Sequence, residues 1–405
     1  MRVTRTLSPP KVMLVLREEV PHRRWLMLAL LFTARVALGF QFQAMGSVGE
    51  LVATDLRLNY TEVGTLIGLF LVPGMVLAVP AGLLGRYITD RILVVTGLAA
   101  MTAGGILAAA ANSLEALAAA RLFGGAGFVV CSLYFTKMTA DWFSGRELAT
   151  AMAVVVMSWP FGVALGQVGH GWLAAHHGWR LPFVVAATYS LLSAVAVLAL
   201  YRSPPQGATA PAAPSARLTG REWSLTLIAA FIWATFNAAY VVYLSFAPRV
   251  LTDGGMGALT AASIVSLASW VMIFSGTLVG QVADRFGRAD LILRTCLVGG
   301  MVSLALLPRL DWAIPLSLAY GLIGVAPAGL VMALTGQAMA PHKRAFGMGV
   351  FLTVFFLGSA PAPGIAGWLY DRTGDAYVPI LFAVGLTAAA LVGTYAFRLV
   401  QRLTR

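Results

Sequence analysis

Charge is what this sequence has least of. Only 11% of its 405 residues are Asp, Glu, Lys or Arg, against about 25% in soluble domains. That is too little polar surface to cover a water-facing globule. Acidic side chains are the scarcer kind, 16 against 28 basic ones. Cysteine is almost missing. Cys131 and Cys296 each lie inside an apolar run, far apart, which excludes a disulfide framework. The sequence has no cluster of metal-ligating residues, no phosphate-cradling Gly-Lys loop and no nucleophile–base arrangement. Neither an enzyme nor a nucleotide-driven pump is expected, and no cofactor or metal is implied. Met1–Arg24 is basic and polar instead of a short apolar core with a cleavage site. No removable signal peptide is expected.

What is present is hydrophobic length. The chain is 59% hydrophobic, with a mean hydropathy of +0.82. Runs of roughly 18 or more apolar residues recur, each able to cross a ~30 Å hydrocarbon core as a helix. The expected spans are Trp25–Val52, Glu62–Leu84, Ile92–Ala111, Leu114–Met138, Leu148–Leu173 and Leu181–Tyr201. After the Pro/Ala-rich stretch Ser203–Pro214 come Trp223–Ala247, Leu259–Val282, Leu291–Leu307, Trp312–Met339, Phe346–Tyr370 and Tyr377–Val400. The reading is an all-α integral membrane protein of two six-helix bundles, residues 25–202 and 223–400. Residues 1–24 form an N-terminal segment, 203–222 a linker and 401–405 a short tail.

The net charge of +12 suggests nucleic acid until its placement is considered. Lys and Arg gather at the N-terminus, at alternate turns, in the linker and at the C-terminus. The other turns hold only Arg57, Arg180, Arg249, Arg309 and Arg372. This is the positive-inside asymmetry. It predicts a multi-pass protein of a bacterial cytoplasmic membrane with both termini in the cytoplasm. The partner is the lipid bilayer, with no nucleic acid, and the protein is expected to be a monomer.

The charges that interrupt the apolar runs are patterned. Gly280-Gln281-Val282-Ala283-Asp284-Arg285-Phe286-Gly287-Arg288 separates two spans, and a weaker copy is Gly82-Leu83-Leu84-Gly85-Arg86-Tyr87-Ile88-Thr89-Asp90-Arg91. A helix is expected to end near Val282 and the next to start by Leu291, with Asp284 near the backbone N–H groups of a helix start. Gly171-Trp172-Leu173 with Gly178 recurs as Gly367-Trp368-Leu369 with Gly374. The two repeats share nearly the same spacing, which points to an internal duplication.

On these residues the chain resembles the major facilitator superfamily from about Trp25 to Val400. Gly280, Asp284, Arg285, Gly287 and Arg288 match that family's signature between spans two and three and again between eight and nine. The first copy departs from it, with Gly85 where Asp is expected and Ile88 where Gly is expected. Arg121, Gly125 and Gly127 match a second family pattern, an Arg in span four followed by spaced glycines. Ser158-Trp159-Pro160-Phe161-Gly162 stands where drug–proton antiporters carry a Gly-Pro pair. Within the family the chain is most similar to small-anion porters of the cyanate and nitrate/nitrite type. The resemblance implies alternating access, with spans one, four, seven and ten lining a central cavity. It also makes Gly82, Arg86, Asp90, Arg91, Gly280, Asp284, Arg285, Gly287 and Arg288 the gating set, in contacts that favour the outward-facing state.

Arg35 stands ten residues into the first expected span, about 15 Å deep. An Arg there cannot shed its proton and is costly to insert. Glu50, Asp55, Glu62 and Glu115 all fall near span ends. Arg35 therefore reads either as the binding group for an exchangeable anion or as a structural Arg held by a neighbouring span. Arg121, about 11 Å into its span, reads as a second anion contact or as a structural Arg. Trp233, Asn237 and Tyr240 share a helical face. Phe42 shares that of Arg35, and Gln43 does so less squarely. Trp159 and Tyr320 complete the candidate lining. His170, His176 and His177 read as interfacial histidines, with a proton relay as the alternative.

The expected function is secondary transport of a small organic or inorganic anion, monocarboxylate-like or cyanate/nitrate-like, with or without a proton. The alternatives are an exporter of drugs or metabolites in which both arginines are structural and, more remotely, a sensor on a transporter scaffold.

Overall fold

The computed structural model describes residues 11–85, 87–143, 147–204, 218–340 and 343–404. Arg86, most of the linker, the first ten residues and Arg405 lie outside them. Every regular element described is helical. Among the described residues, eleven helices are long and apolar enough to cross a membrane. A twelfth, Ala289–Ala305, has 17 residues, which is the lower limit for crossing. The chain is a twelve-helix membrane protein.

The first span belongs to a helix that already begins at Lys11 and runs to Leu56. The third to eighth are Asp90–Ala110, Leu114–Trp142, Leu148–His177, Arg180–Leu200, Gly220–Asp253 and Ala258–Phe286. Ala289–Ala305 is the ninth and Tyr377–Leu403 the twelfth. The side on which the first helix begins and the twelfth ends is here called the near face; the opposite side is the far face.

Three spans expected to be continuous are broken. The second is Tyr60–Leu69 followed by Pro73–Leu84. The tenth is Ala313–Ala319, a π-helical turn at Tyr320–Gly324, then Ala328–Ala338. The eleventh is Arg344–Ser359 followed by Ala362–Thr373. Pro73, Pro327 and Pro361 lack the N–H that would continue each ladder. Such breaks persist in a membrane only where protein or a cavity receives the freed backbone groups. Here Gly68 packs on the Ala360 carbonyl, which joins the second break to the eleventh.

Helix ends follow local chemistry. Asn59 with Glu62, and Thr219 with Glu222, form capping boxes. Gly287 ends the eighth span at φ 62°, a left-handed conformation suited to glycine. That helix runs four residues past the expected end. Asp284 therefore lies in its last turn and not at a helix start, and Asp290 occupies the first turn of the next helix.

One buried apolar cluster draws mainly on the first six spans, around Leu31, Phe135 and Phe183. A second draws mainly on the last six, around Tyr243, Phe351 and Phe397. Small residues set the close approaches. An added Cβ on Gly104 would lie 2.7 Å from Gly124, and one on Gly300 would lie 2.8 Å from Gly324. The two groups of spans meet where the second packs on the eleventh and the fifth on the eighth.

Candidate functional site

Between the two groups of spans lies a cavity of about 550 Å³. Its wall includes Arg35, Phe42, Trp159, Trp233, Asn237 and Tyr240, together with Phe128, Ser132, Thr277 and Phe355. It reaches Met152, little more than a turn from the near end of the fifth span, while no lining residue stands within two turns of a far end. At the far face the two groups of spans touch directly.

Arg35 is the cavity's cation. The first span carries it opposite the fifth, where Nη1 donates to the Val155 carbonyl at 2.8 Å and to the Ser158 hydroxyl at 2.9 Å. Gly39 permits this approach, since a Cβ there would lie 2.4 Å from the Trp159 carbonyl oxygen. The guanidinium is tethered by one nitrogen, with Nε buried and unserved and Nη2 without a protein partner among the described residues.

Aromatic rings surround it. Trp159 lies 5.3 Å from Phe42 and 5.5 Å from Phe128 between centroids, and Trp233 lies 6.2 Å from Phe355. On the seventh span the expected face is the one presented to the cavity. Tyr240 shares a 2.6 Å hydrogen bond with Ser269, and Asn237 Nδ2 donates to the Trp233 carbonyl at 2.8 Å.

Three candidates fall elsewhere. Arg121 is buried outside the cavity wall. Its Nε donates to the Leu66 carbonyl at 3.0 Å, and its terminal nitrogens reach the Gln41 and Phe42 carbonyls at 3.5 and 3.4 Å. The guanidinium also stacks over Phe70 at 4.3 Å. The cause lies in the break of the second span. The Phe70 N–H turns to the Gly68 carbonyl, which leaves Leu66 to be served by Arg121. Gln43 is spent on Ser47 and Gln167, and Tyr320 packs on Tyr243 at 4.6 Å.

The residues of the charged turns lie at the near face. Asp90 is bonded to Lys137, and Gly82 and Gly280 face open space. The Arg91 Nε is buried without a partner. Asp284, Arg285 and Arg288 are exposed and carry no ion pair among the described residues. Gly85 has a steric reason to replace Asp, because a Cβ there would lie 2.7 Å from the Tyr134 hydroxyl, which itself donates to the Ala81 carbonyl.

Two features escaped the sequence reading. Asp290 binds Arg398 in a two-pronged pair, with Nε to Oδ2 at 2.7 Å, and Gln337 completes it. Asp290 stands 200 residues after Asp90, and Gln337 stands 200 after Lys137, so the duplication was the available signal. His170 differs from His176 and His177, which are exposed as expected: it is fully buried. Among the described residues no cluster fit to hold a metal is found.

The comparisons with known proteins agree with this architecture. The family model described as Major Facilitator Superfamily matches residues 30–363. A hexuronate transporter of Bacillus subtilis is 24% identical over 91% of this chain and 93% of its own length. A gallate transporter of Pseudomonas putida is 23% identical, covering 82% and 80%. The quinolone resistance protein NorA of Staphylococcus aureus is 23% identical, covering 84% and 88%. Among solved structures, a bacterial homolog of the human lysosomal transporter Spinster, in an inward-facing and occupied conformation, superposes with a TM-score of 0.73 at 17% identity, covering 94% and 97%.

Proposed function

Since the chain belongs to the major facilitator superfamily, and so is a secondary transporter and not an enzyme, we propose that it carries a small organic monoanion bound at Arg35. The observation that carries this reading is the guanidinium in the cavity wall, tethered through Nη1 and unsatisfied at Nε. A planar fork with unspent donors in an apolar site suits a carboxylate. Size favours an organic anion over cyanate or nitrate. Such ions match one or two waters, roughly 30 Å³ each, whereas the cavity is about 550 Å³. Its rings suit an anion with an aromatic body, such as the substrate that names the gallate relative.

The near face is taken as cytoplasmic from the charge asymmetry, which makes this an inward-open form in a bacterial cytoplasmic membrane. The unpaired state of Asp284, Arg285 and Arg288 supports a gating role. They are apart because the near side is open, and closure of that side brings them into contact with the other half. Arg121 is a structural residue in this scheme.

A second reading is export of apolar compounds, favoured by the aromatic wall and by the quinolone resistance relative. Thermal stability of the purified protein against gallate, glucuronate, benzoate, nitrate, cyanate and an apolar cationic dye separates the two. A ligand at 100 times its Kd stabilises the folded state by about 2.7 kcal/mol. An organic carboxylate is expected to raise Tm by several degrees in the wild type and by none in Arg35→Ala. Stabilisation by the cationic dye alone, or equal carboxylate stabilisation in both proteins, overturns the anion site.

A further inference from the structure

Coupling to a proton needs a group whose charge changes inside the membrane. Arg35 keeps its proton, and among the described residues no carboxylate lies in the membrane interior. His170 remains. Its ring is 0% exposed, packs on Phe40 at 4.2 Å between centroids, and holds Nε2 2.9 Å from the Phe40 carbonyl oxygen. A carbonyl only accepts, so Nε2 carries the hydrogen and Nδ1 presents its lone pair. Nδ1 is buried and has no partner. Buried polar atoms are nearly always served, and this basic nitrogen is not.

Its surroundings lead outward. Gln43 donates to Gln167 and to the Ser47 hydroxyl, and Ser47 donates to the Gly166 carbonyl at 3.2 Å. Gln43, Ser47 and Glu50 rise along one face of the first span to the exposed Glu50 at the far end. Gly171, the next residue after His170, meets Ala262 of the eighth span, 3.8 Å from an added Cβ. His170 therefore stands one residue from the seam between the two groups of spans.

We propose that His170 is a proton-binding site, taking a proton on Nδ1 when the far face opens and water enters the Gln43–Ser47–Glu50 line, and losing it when the seam is dry. The inference goes beyond the anion site and holds whichever solute the cavity carries. With a monoanion, the proton offsets the anion's charge while the far face is open. It also adds a positive charge near Arg35, which lies five residues below Phe40, about 7.5 Å of helix rise.

The other ionisable groups around His170 do not take this role. On its own helix His176 and His177 are exposed. The first span offers Arg35 below and Glu50 above. The sixth offers Tyr189, whose hydroxyl donates to the Thr33 carbonyl, and Arg180 at the far end. The fourth offers the carbonyl-bound Arg121 and, at the far end, Glu115. The eighth has no ionisable residue from Ala258 to Ala283. Nothing nearby balances a protonated ring while the seam is closed.

The test needs no substrate. Spin labels at Thr54→Cys and Leu259→Cys, both exposed at far ends, report the opening between the two groups of spans; Cys131 and Cys296 are buried and stay unlabelled. In nanodiscs the open population is expected to grow at least about fivefold from pH 8 to pH 5 in the labelled parent. His176→Gln/His177→Gln should behave the same. His170→Gln, which keeps an N–H for the Phe40 carbonyl, should show no response, with His170→Asn as the second variant. A parent without pH response, a response retained in His170→Gln, or one abolished by His176→Gln/His177→Gln overturns the proposal.

Discussion

The two faces of the molecule are held by different kinds of contact. At the far face, beside pairs such as Arg180 with Asp55 that stay within one group, a set of bonds crosses between the first six spans and the last six. Asp371 of the eleventh span accepts from the backbone N–H groups of Tyr60 and Thr61 at 2.9 and 2.7 Å, and from the Thr61 hydroxyl at 2.6 Å. Arg249 reaches Glu50 at 2.5 Å, and Tyr60 packs on Tyr370 at 4.4 Å. At the near face the ion pairs of the described residues stay within one group of spans: Arg24 with Glu147, Lys137 with Asp90, Lys343 with Glu222, and Arg398 with Asp290. Contacts that cross set the balance between open and closed forms, and contacts that do not cross brace each bundle. Breaking the first kind should shift a population. Breaking the second should lower stability and leave the population alone.

The largest effect is expected at Gly68. A Cβ there would lie 1.9 Å from the Ala360 carbonyl oxygen, and both sides of that clash are backbone. Gly68→Val should prevent far-face closure and reduce transport at least about 100-fold, with far-face spin-label distances shifted to the open value. Asp371→Ala comes next. Two of the second span's first N–H groups lose their acceptor, a loss of about 2 kcal/mol by analogy with helix caps. That shifts the far-face equilibrium roughly 30-fold toward open, readable in the same distances, with little change in Tm.

These crossing contacts also mark where the sequence could and could not be read. Scarce charge and long apolar runs are enough for twelve helices, because a bilayer leaves few other options for a spanning chain. The breaks were not legible. Pro73, Pro327 and Pro361 look no different in sequence from Pro160 and Pro248, which sit inside unbroken helices. What differs is a distant partner: Arg121 serving Leu66, or Gly68 meeting Ala360.

The site divides in the same way. Helical periodicity put Trp233, Asn237 and Tyr240 on one face, and one cavity receives all three. It could not distinguish Arg35 from Arg121, since both are single arginines in apolar helices. Their roles separate only once the carbonyls released by the second span are located. His170 was read with its neighbours as interfacial because burial within a bundle leaves no local mark on the sequence.

The near face supplies the converse measurement. Asp290→Asn removes the charge from a two-pronged pair with Arg398, a partly exposed bridge worth about 1 kcal/mol. Thermal unfolding should begin a few degrees lower, while the far-face distance distribution stays that of the parent. A shift in that distribution would mean that the bracing pairs also carry the switch, and the division drawn between the faces would fail.

The smallest effect is expected at Glu50. Its side chain is 59% exposed, so its bond to Arg249 contributes only about 0.5 kcal/mol despite crossing between the bundles. Glu50→Gln should move the far-face equilibrium two- to threefold toward open at low ionic strength. Near 1 M salt the screening length falls to about 3 Å, and mutant and parent should then coincide. Asp371→Ala should keep most of its shift under the same conditions, because the acceptor it removes serves backbone N–H groups that have no other partner among the described residues. The salt series therefore separates the two crossing contacts. If both effects vanished together, the far face would be closed by exposed charge alone, and the close glycine approach at Gly68 would lose its role.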